Sequence, residues 1–154
     1  MAFLRHLRGF QHTLVEYARH VLNISDAEHQ ETAPDASKLL ISKLSCSLVG
    51  ETQTVVVRPG KLANQAYGRE QVLEQFSCNY GLNPAYQDEM ERGGLRIAGT
   101  GQDGEVRIVE LAKHPFFVAT LFVPQLSSSS ERPHPLITDY LRAALTFQAR
   151  RLRA

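Results

Sequence analysis

Phe10-Gln11-His12-Thr13-Leu14-Val15-Glu16-Tyr17-Ala18-Arg19-His20-Val21-Leu22 is the stretch that sets the fold class. Phe10, Leu14, Tyr17, Ala18, Val21 and Leu22 recur at helical spacing, with Glu16, Arg19 and His20 on the other faces, so the pattern predicts one amphipathic helix. Asn23 and Ser25-Asp26 end it, and Glu28 to Ser37, with Pro34 inside, reads as a surface loop. Short strands are expected at Leu39–Ile41 and at Thr54–Arg58, the second closing at Pro59-Gly60. Glu105–Leu111 alternates charged and apolar side chains and pairs with Leu95–Ala98 across Gln102-Asp103-Gly104, which predicts a half-exposed hairpin. Phe116–Val123 is apolar without alternation, the pattern of a strand covered on both faces. A polar loop over Ser127–Pro135 leads into a last helix, Leu136–Leu152, with Arg150, Arg151 and Arg153 at its basic end. The class is α/β, with only Ala2-Phe3-Leu4 ahead of the first helix and so an incomplete sheet.

The 154 residues are expected to form one domain, 1–154, able to close a core without disulfides or metals. A formal charge of +1 with 21% charged residues argues against an electrostatic partner such as nucleic acid or a membrane surface. No apolar run is long enough to span a bilayer. Two cysteines, Cys46 and Cys78, suit a reducing cytoplasm. Met1–Leu22 also has the Arg-rich, acid-poor composition of a mitochondrial transit segment, but its helical spacing gives it a structural reading.

Gly9 to Leu22 resembles the helix that comes after the nucleophile elbow in the class I glutamine amidotransferase (glutaminase) domain of CTP synthase. His114-Pro115-Phe116-Phe117-Val118-Ala119-Thr120-Leu121-Phe122-Val123-Pro124-Gln125, with His134-Pro135-Leu136 beyond it, resembles the same domain's closing strand and the segment after that strand. Asn83, Gly94 to Gly99 and Asp103-Gly104 fall between them in the family's order. The chain also looks like the small stand-alone proteins related to the CTP synthase C-terminal region, some of them selenoproteins. The resemblance implies a flavodoxin-like three-layer sheet with a small antiparallel hairpin, lacking the usual N-terminal strands and the oxyanion loop they carry.

In that family an elbow Cys attacks the glutamine amide and a His oriented by a Glu takes the proton, because a thiol is only partly ionised at neutral pH. Backbone amides at the elbow then hold the oxyanion. Here the elbow is Arg5-His6-Leu7-Arg8-Gly9, so Leu7 stands at the nucleophile position. Val123 stands at the His position and Gln125 at the Glu position. The family's carboxylate-clamping Arg is replaced by Asn79, before Tyr80, while Gln11 and Glu31 match binding positions. No cofactor and no metal site are implied: His12 and His20 are two helical turns apart.

Three functional readings are open. The first is a domain without glutaminase activity, kept as a binding or regulatory module linked by ancestry to CTP formation, with a glutamine-like ligand at Gln11, Glu31, Asn79 and Tyr80 and a synthase-type partner. The second is a fragment of an active glutaminase. The third is a hydrolase using Cys78 with His12, His20 or His114. The smaller features have plain structural readings: His114 turns the chain into the buried strand, Ser127–Ser130 is a flexible loop rather than a phosphorylation site or lid, and Arg142, Arg150, Arg151 and Arg153 form a solvated face. A shortened sheet also predicts an exposed apolar face, and with it self-association.

Overall fold

The computed structural model describes residues 1–152. The element order is β1 (Phe3–His6), α1 (Arg8–His20), β2 (Ala27–His29), β3 (Lys38–Lys43), β4 (Thr52–Val57), α2 (Leu62–Tyr67), β5 (Gln71–Gln75), β6 (Tyr80–Leu82), α3 (Gln87–Arg92), β7 (Leu95–Gly101), β8 (Val106–Leu111), β9 (Phe117–Thr120) and α4 (Pro135–Arg151). Single turns of 3-10 helix lie at Pro84–Tyr86 and Pro124–Ser127. Six strands form one sheet in the order β1-β9-β8-β7-β4-β5, and β2-β3-β6 form a second, smaller sheet.

The α/β class holds, with a mixed sheet in which β1 and β9 are the parallel pair, Phe3 opposite Phe117 and His6 opposite Thr120. The predicted strand at Phe116–Val123 is present as β9, with Val118, Ala119 and Thr120 fully buried. Its non-alternating composition reflects cover on both faces. The hairpin forms as β7 and β8 with Leu95 opposite Leu111. It is not half-exposed: Val106 to Glu110 are all buried. Arg107 is covered because its guanidinium is paired with Asp103 (2.8 Å) and Glu105 (3.2 Å). Glu110 is covered because its carboxylate accepts from the Leu62 and Ala63 amides and so caps α2. Alternation of charge with apolar residues therefore marks two interior charged groups, one ion-paired and one held by backbone amides, rather than a wet face.

The first helix buries Phe10, Gln11, Leu14, Val15 and Ala18. It stops at His20, Asn23 adopting φ 58°, so Val21 falls outside it and is exposed. The loop expected at Glu28–Ser37 begins as β2. His114 does turn the chain into β9: its Nδ1 accepts from the Phe116 amide (3.2 Å) and its ring packs on Phe3. The terminal helix buries only Leu136, and Leu141, Leu145 and Phe147 are exposed along it. Exposed apolar side chains thus gather on α4, whereas the faces of β8 and β9 are closed. Arg153, assigned to the basic end of this helix, lies outside the described residues.

Candidate functional site

The junction of β1 and α1 consists of one residue, Leu7, at φ 49° and ψ −113°. A side chain bearing a Cβ crowds the backbone there, a strain of about 1–3 kcal/mol. Hydrogen bonds hold it in place: the Leu7 amide donates to the Thr120 carbonyl (2.9 Å) and the Leu7 carbonyl accepts from the Gln11 amide (3.1 Å). This is the sharp strand-to-helix turn that presents a nucleophile in enzymes built this way. The side chain presented is an alkyl group, partly buried against the core. Leu7 has no atom that attacks a carbonyl. Val123 is half-buried, its amide donating to the Gln75 carbonyl (3.1 Å), and Gln125 is exposed to solvent. Neither supplies a proton acceptor of imidazole or carboxylate type.

One turn along α1, a polar cluster joins the helix to the smaller sheet. Gln11 is buried, its Nε2 donating to the Tyr80 carbonyl (2.9 Å). Its Oε1 lies 3.1 Å from Nε2 of His29, also buried. The Glu31 amide donates to Nδ1 of His29 (3.1 Å). With Nδ1 an acceptor, the proton of a neutral ring sits on Nε2 and is donated to Gln11. The Tyr80 ring lies 5.3 Å from His29, centroid to centroid. Burial pushes the His29 pKa down, opposed by the Glu31 charge. Arg8 pairs with Glu31 at 3.3 Å, both largely exposed, so that pair contributes little.

Of the sequence-predicted residues, Gln11, Glu31 and Tyr80 are therefore gathered around His29. Asn79 enters through its backbone, its carbonyl accepting from the Leu44 amide (2.8 Å). Sequence reasoning misses His29, because a His in a polar segment carries no spacing signal of its own. Cys78 is buried, with Sγ 3.8 Å from the Leu121 carbonyl, and burial pushes its thiol up to about 11, the reverse of what a nucleophile needs. His12 packs near His29 and His20 pairs with Glu16 (3.0 Å), so neither is placed beside Cys78.

A second cluster, also missed, lies at the far edge of the large sheet. Glu74 and His134 are both buried, with His134 Nε2 2.9 Å from Glu74 Oε1. The same oxygen accepts from the Tyr67 hydroxyl and the other from Ser127 Oγ (3.2 Å). His134 Nδ1 accepts from the Leu136 amide (3.2 Å) and caps α4. Burial beside Glu74 drives the Tyr67 phenol far above its ordinary range. His134-Pro135-Leu136 is visible in the sequence, but its partner Glu74 is sixty residues away along the chain.

Comparison with known proteins gives this geometry a context. No family model matches the chain. It is 37% identical over 93% of its length to CTP synthase of Bifidobacterium longum, and 35% identical over 88% to CTP synthase of Saccharolobus solfataricus. It spans only 29% and 27% of those proteins. The glutaminase domain of Trypanosoma brucei CTPS with bound acivicin superposes with a TM-score of 0.89 over 94% of this chain and 60% of that one, at 22% identity. A candidate GMP synthase component from Thermoplasma acidophilum gives 0.64 over 97% of this chain and 60% of that one, at 12% identity.

Proposed function

We propose that this chain, homologous to CTP synthases over their glutaminase domain and built on the class I glutamine amidotransferase fold, does not hydrolyse glutamine and serves as a binding or regulatory module tied by ancestry to CTP formation. The observation that carries this reading is Leu7 at the elbow. The strained turn that exists to present a nucleophile is kept, and the side chain it presents is inert. Val123 and Gln125 remove the base and its orienting carboxylate as well, so no single substitution restores the chemistry.

Each retained part has a defined capacity. Gln11 offers a side-chain amide with one donor and one acceptor already engaged, to Tyr80 and His29. Glu31 offers a carboxylate to an ammonium group once Arg8 swings aside. Without an arginine at Asn79, nothing at that position forms a bidentate pair with a carboxylate. A glutamine-like ligand at Gln11, Glu31, Asn79 and Tyr80 would thus be held by its amine end rather than its acid end, and more weakly than where an arginine clamps the carboxylate. The wider partners are a synthase-type protein or a second copy, with the exposed apolar side chains of α4 as the available surface.

Ammonia release from glutamine by the purified chain tests the reading, with and without a CTP synthase present. The expected result is no release by the chain alone and an altered glutamine-dependent rate of the synthase, its rate with free ammonia unchanged. Turnover by the chain alone overturns the proposal. If that turnover disappears in Cys78→Ala, the buried thiol is the nucleophile after all.

A further inference from the structure

A cavity of about 740 Å3 opens at the edge of the large sheet opposite the one that carries the elbow. Its floor is the buried Glu74 and His134 pair; β5, the turn after α2 and the loop leading to α4 form its walls. Its size is that of ordinary small-molecule sites. Two arginines line it, Arg69 from the turn after α2 and Arg132 from the loop before α4. Arg8, Arg19, Arg58, Arg107 and Arg142 each have a carboxylate partner. Among the described residues, Arg69 and Arg132 have none; Arg5, Arg92, Arg96, Arg150 and Arg151 are also unpaired, but do not line this cavity.

The backbone under both arginines is fixed. Gly68 ends α2 at φ 65°, its amide donating to the Asn64 carbonyl (2.8 Å), and the Asn64 side chain holds the Arg69 carbonyl (3.3 Å). Glycine is the residue that takes this turn without strain. On the other wall, Ser127 donates to Glu74, Ser129 Oγ accepts from the Arg132 amide (3.1 Å), and Ser128 Oγ accepts from the His134 amide (3.0 Å). The serine run is therefore a set of clips that hold Arg132 at the rim, not a loose loop. The floor carboxylate already accepts three hydrogen bonds, and both ring nitrogens of His134 are engaged. The charge left unpaired in the cavity is positive.

We propose that this cavity is a second ligand site, taking a small, multiply charged anion whose charged groups sit between Arg69 and Arg132 and whose skeleton rests on Val72, Leu73 and Pro133. Planar guanidinium groups on fixed backbone suit phosphate or carboxylate groups, which accept two parallel hydrogen bonds. The site does not involve the elbow, so it stands or falls independently of any glutamine chemistry.

Titration of the 15N-labelled chain with inorganic pyrophosphate and, separately, with citrate tests the site and separates the two anion chemistries. Saturable shifts are expected at the amides of Arg69, Leu73 and Arg132 with at least one probe. Affinity should fall at least tenfold in R69A/R132A and change less than twofold in R150A/R151A, which removes the same charge from exposed α4. If neither probe saturates, or both double variants weaken binding equally, attraction to net charge explains the result and the site does not exist.

Discussion

Alanine stabilises most positions of a folded chain relative to glycine, and Leu7 is predicted to reverse that order. Leu7→Ala and Leu7→Gly lose nearly the same side-chain contact, because Leu7 is only partly buried against the core. They differ in what the backbone feels. At φ 49° and ψ −113° alanine keeps the Cβ clash, while glycine relieves it. The relief is about 1–3 kcal/mol for a residue held in such a region. Glycine's greater freedom in the unfolded chain subtracts about 0.4–1 kcal/mol. The glycine variant should therefore be the more stable of the two by about 1 kcal/mol, taking the middle of both ranges. For a domain of this size that corresponds to a difference in melting temperature of about 2–4 °C. Urea unfolding of the pair, followed by circular dichroism and fitted with a common slope, reads the difference directly. An alanine variant equal to or more stable than the glycine variant would refute the claim that the elbow is strained.

Glu74→Ala should cost about 3–5 kcal/mol, since it leaves the buried His134 and the half-buried Tyr67 and Ser127 with their shared acceptor gone. Glu74→Gln keeps an acceptor and should cost less than half of that; equal losses in thermal melts would count against the network. Acidification should open the cluster around Gln11. His29 has a folded pKa below the ordinary 6.5, so the neutral ring's contribution to stability is present above that value and is lost as pH falls through the folded pKa. Unfolding free energies measured at about pH 7.5 and about pH 5.5 should show a loss in the native chain that His29→Gln reduces; an unchanged slope in the variant would show that other groups titrate.

The spine of the fold is legible in the sequence where pattern is local. The helix after the elbow, the strand at β9, the β7 and β8 hairpin and the last helix each carry their own period or turn residues, and each is present. Boundaries move where one residue's backbone decides them, as at Asn23. The burial of β8 is not legible, because Arg107 and Glu110 look like surface charges until Asp103, Glu105 and the start of α2 are brought beside them. The site divides in the same way. Leu7, Val123 and Gln125 can be located by order along the chain, whereas His29 with Gln11 and Glu74 with His134 are joined only by folding. Buried polar pairs of distant residues leave no periodic trace, so they become visible only in the folded chain.

Gln11 stands on the helix of the large sheet, yet both ends of its amide are engaged with the smaller one, at Tyr80 of β6 and His29 of β2. Loss of either hydrogen bond, as in Gln11→Ala, loosens a strand of the smaller sheet from α1. One side chain of the first helix thereby fastens two strands of the three-stranded sheet, and the placement of that sheet depends on a single amide.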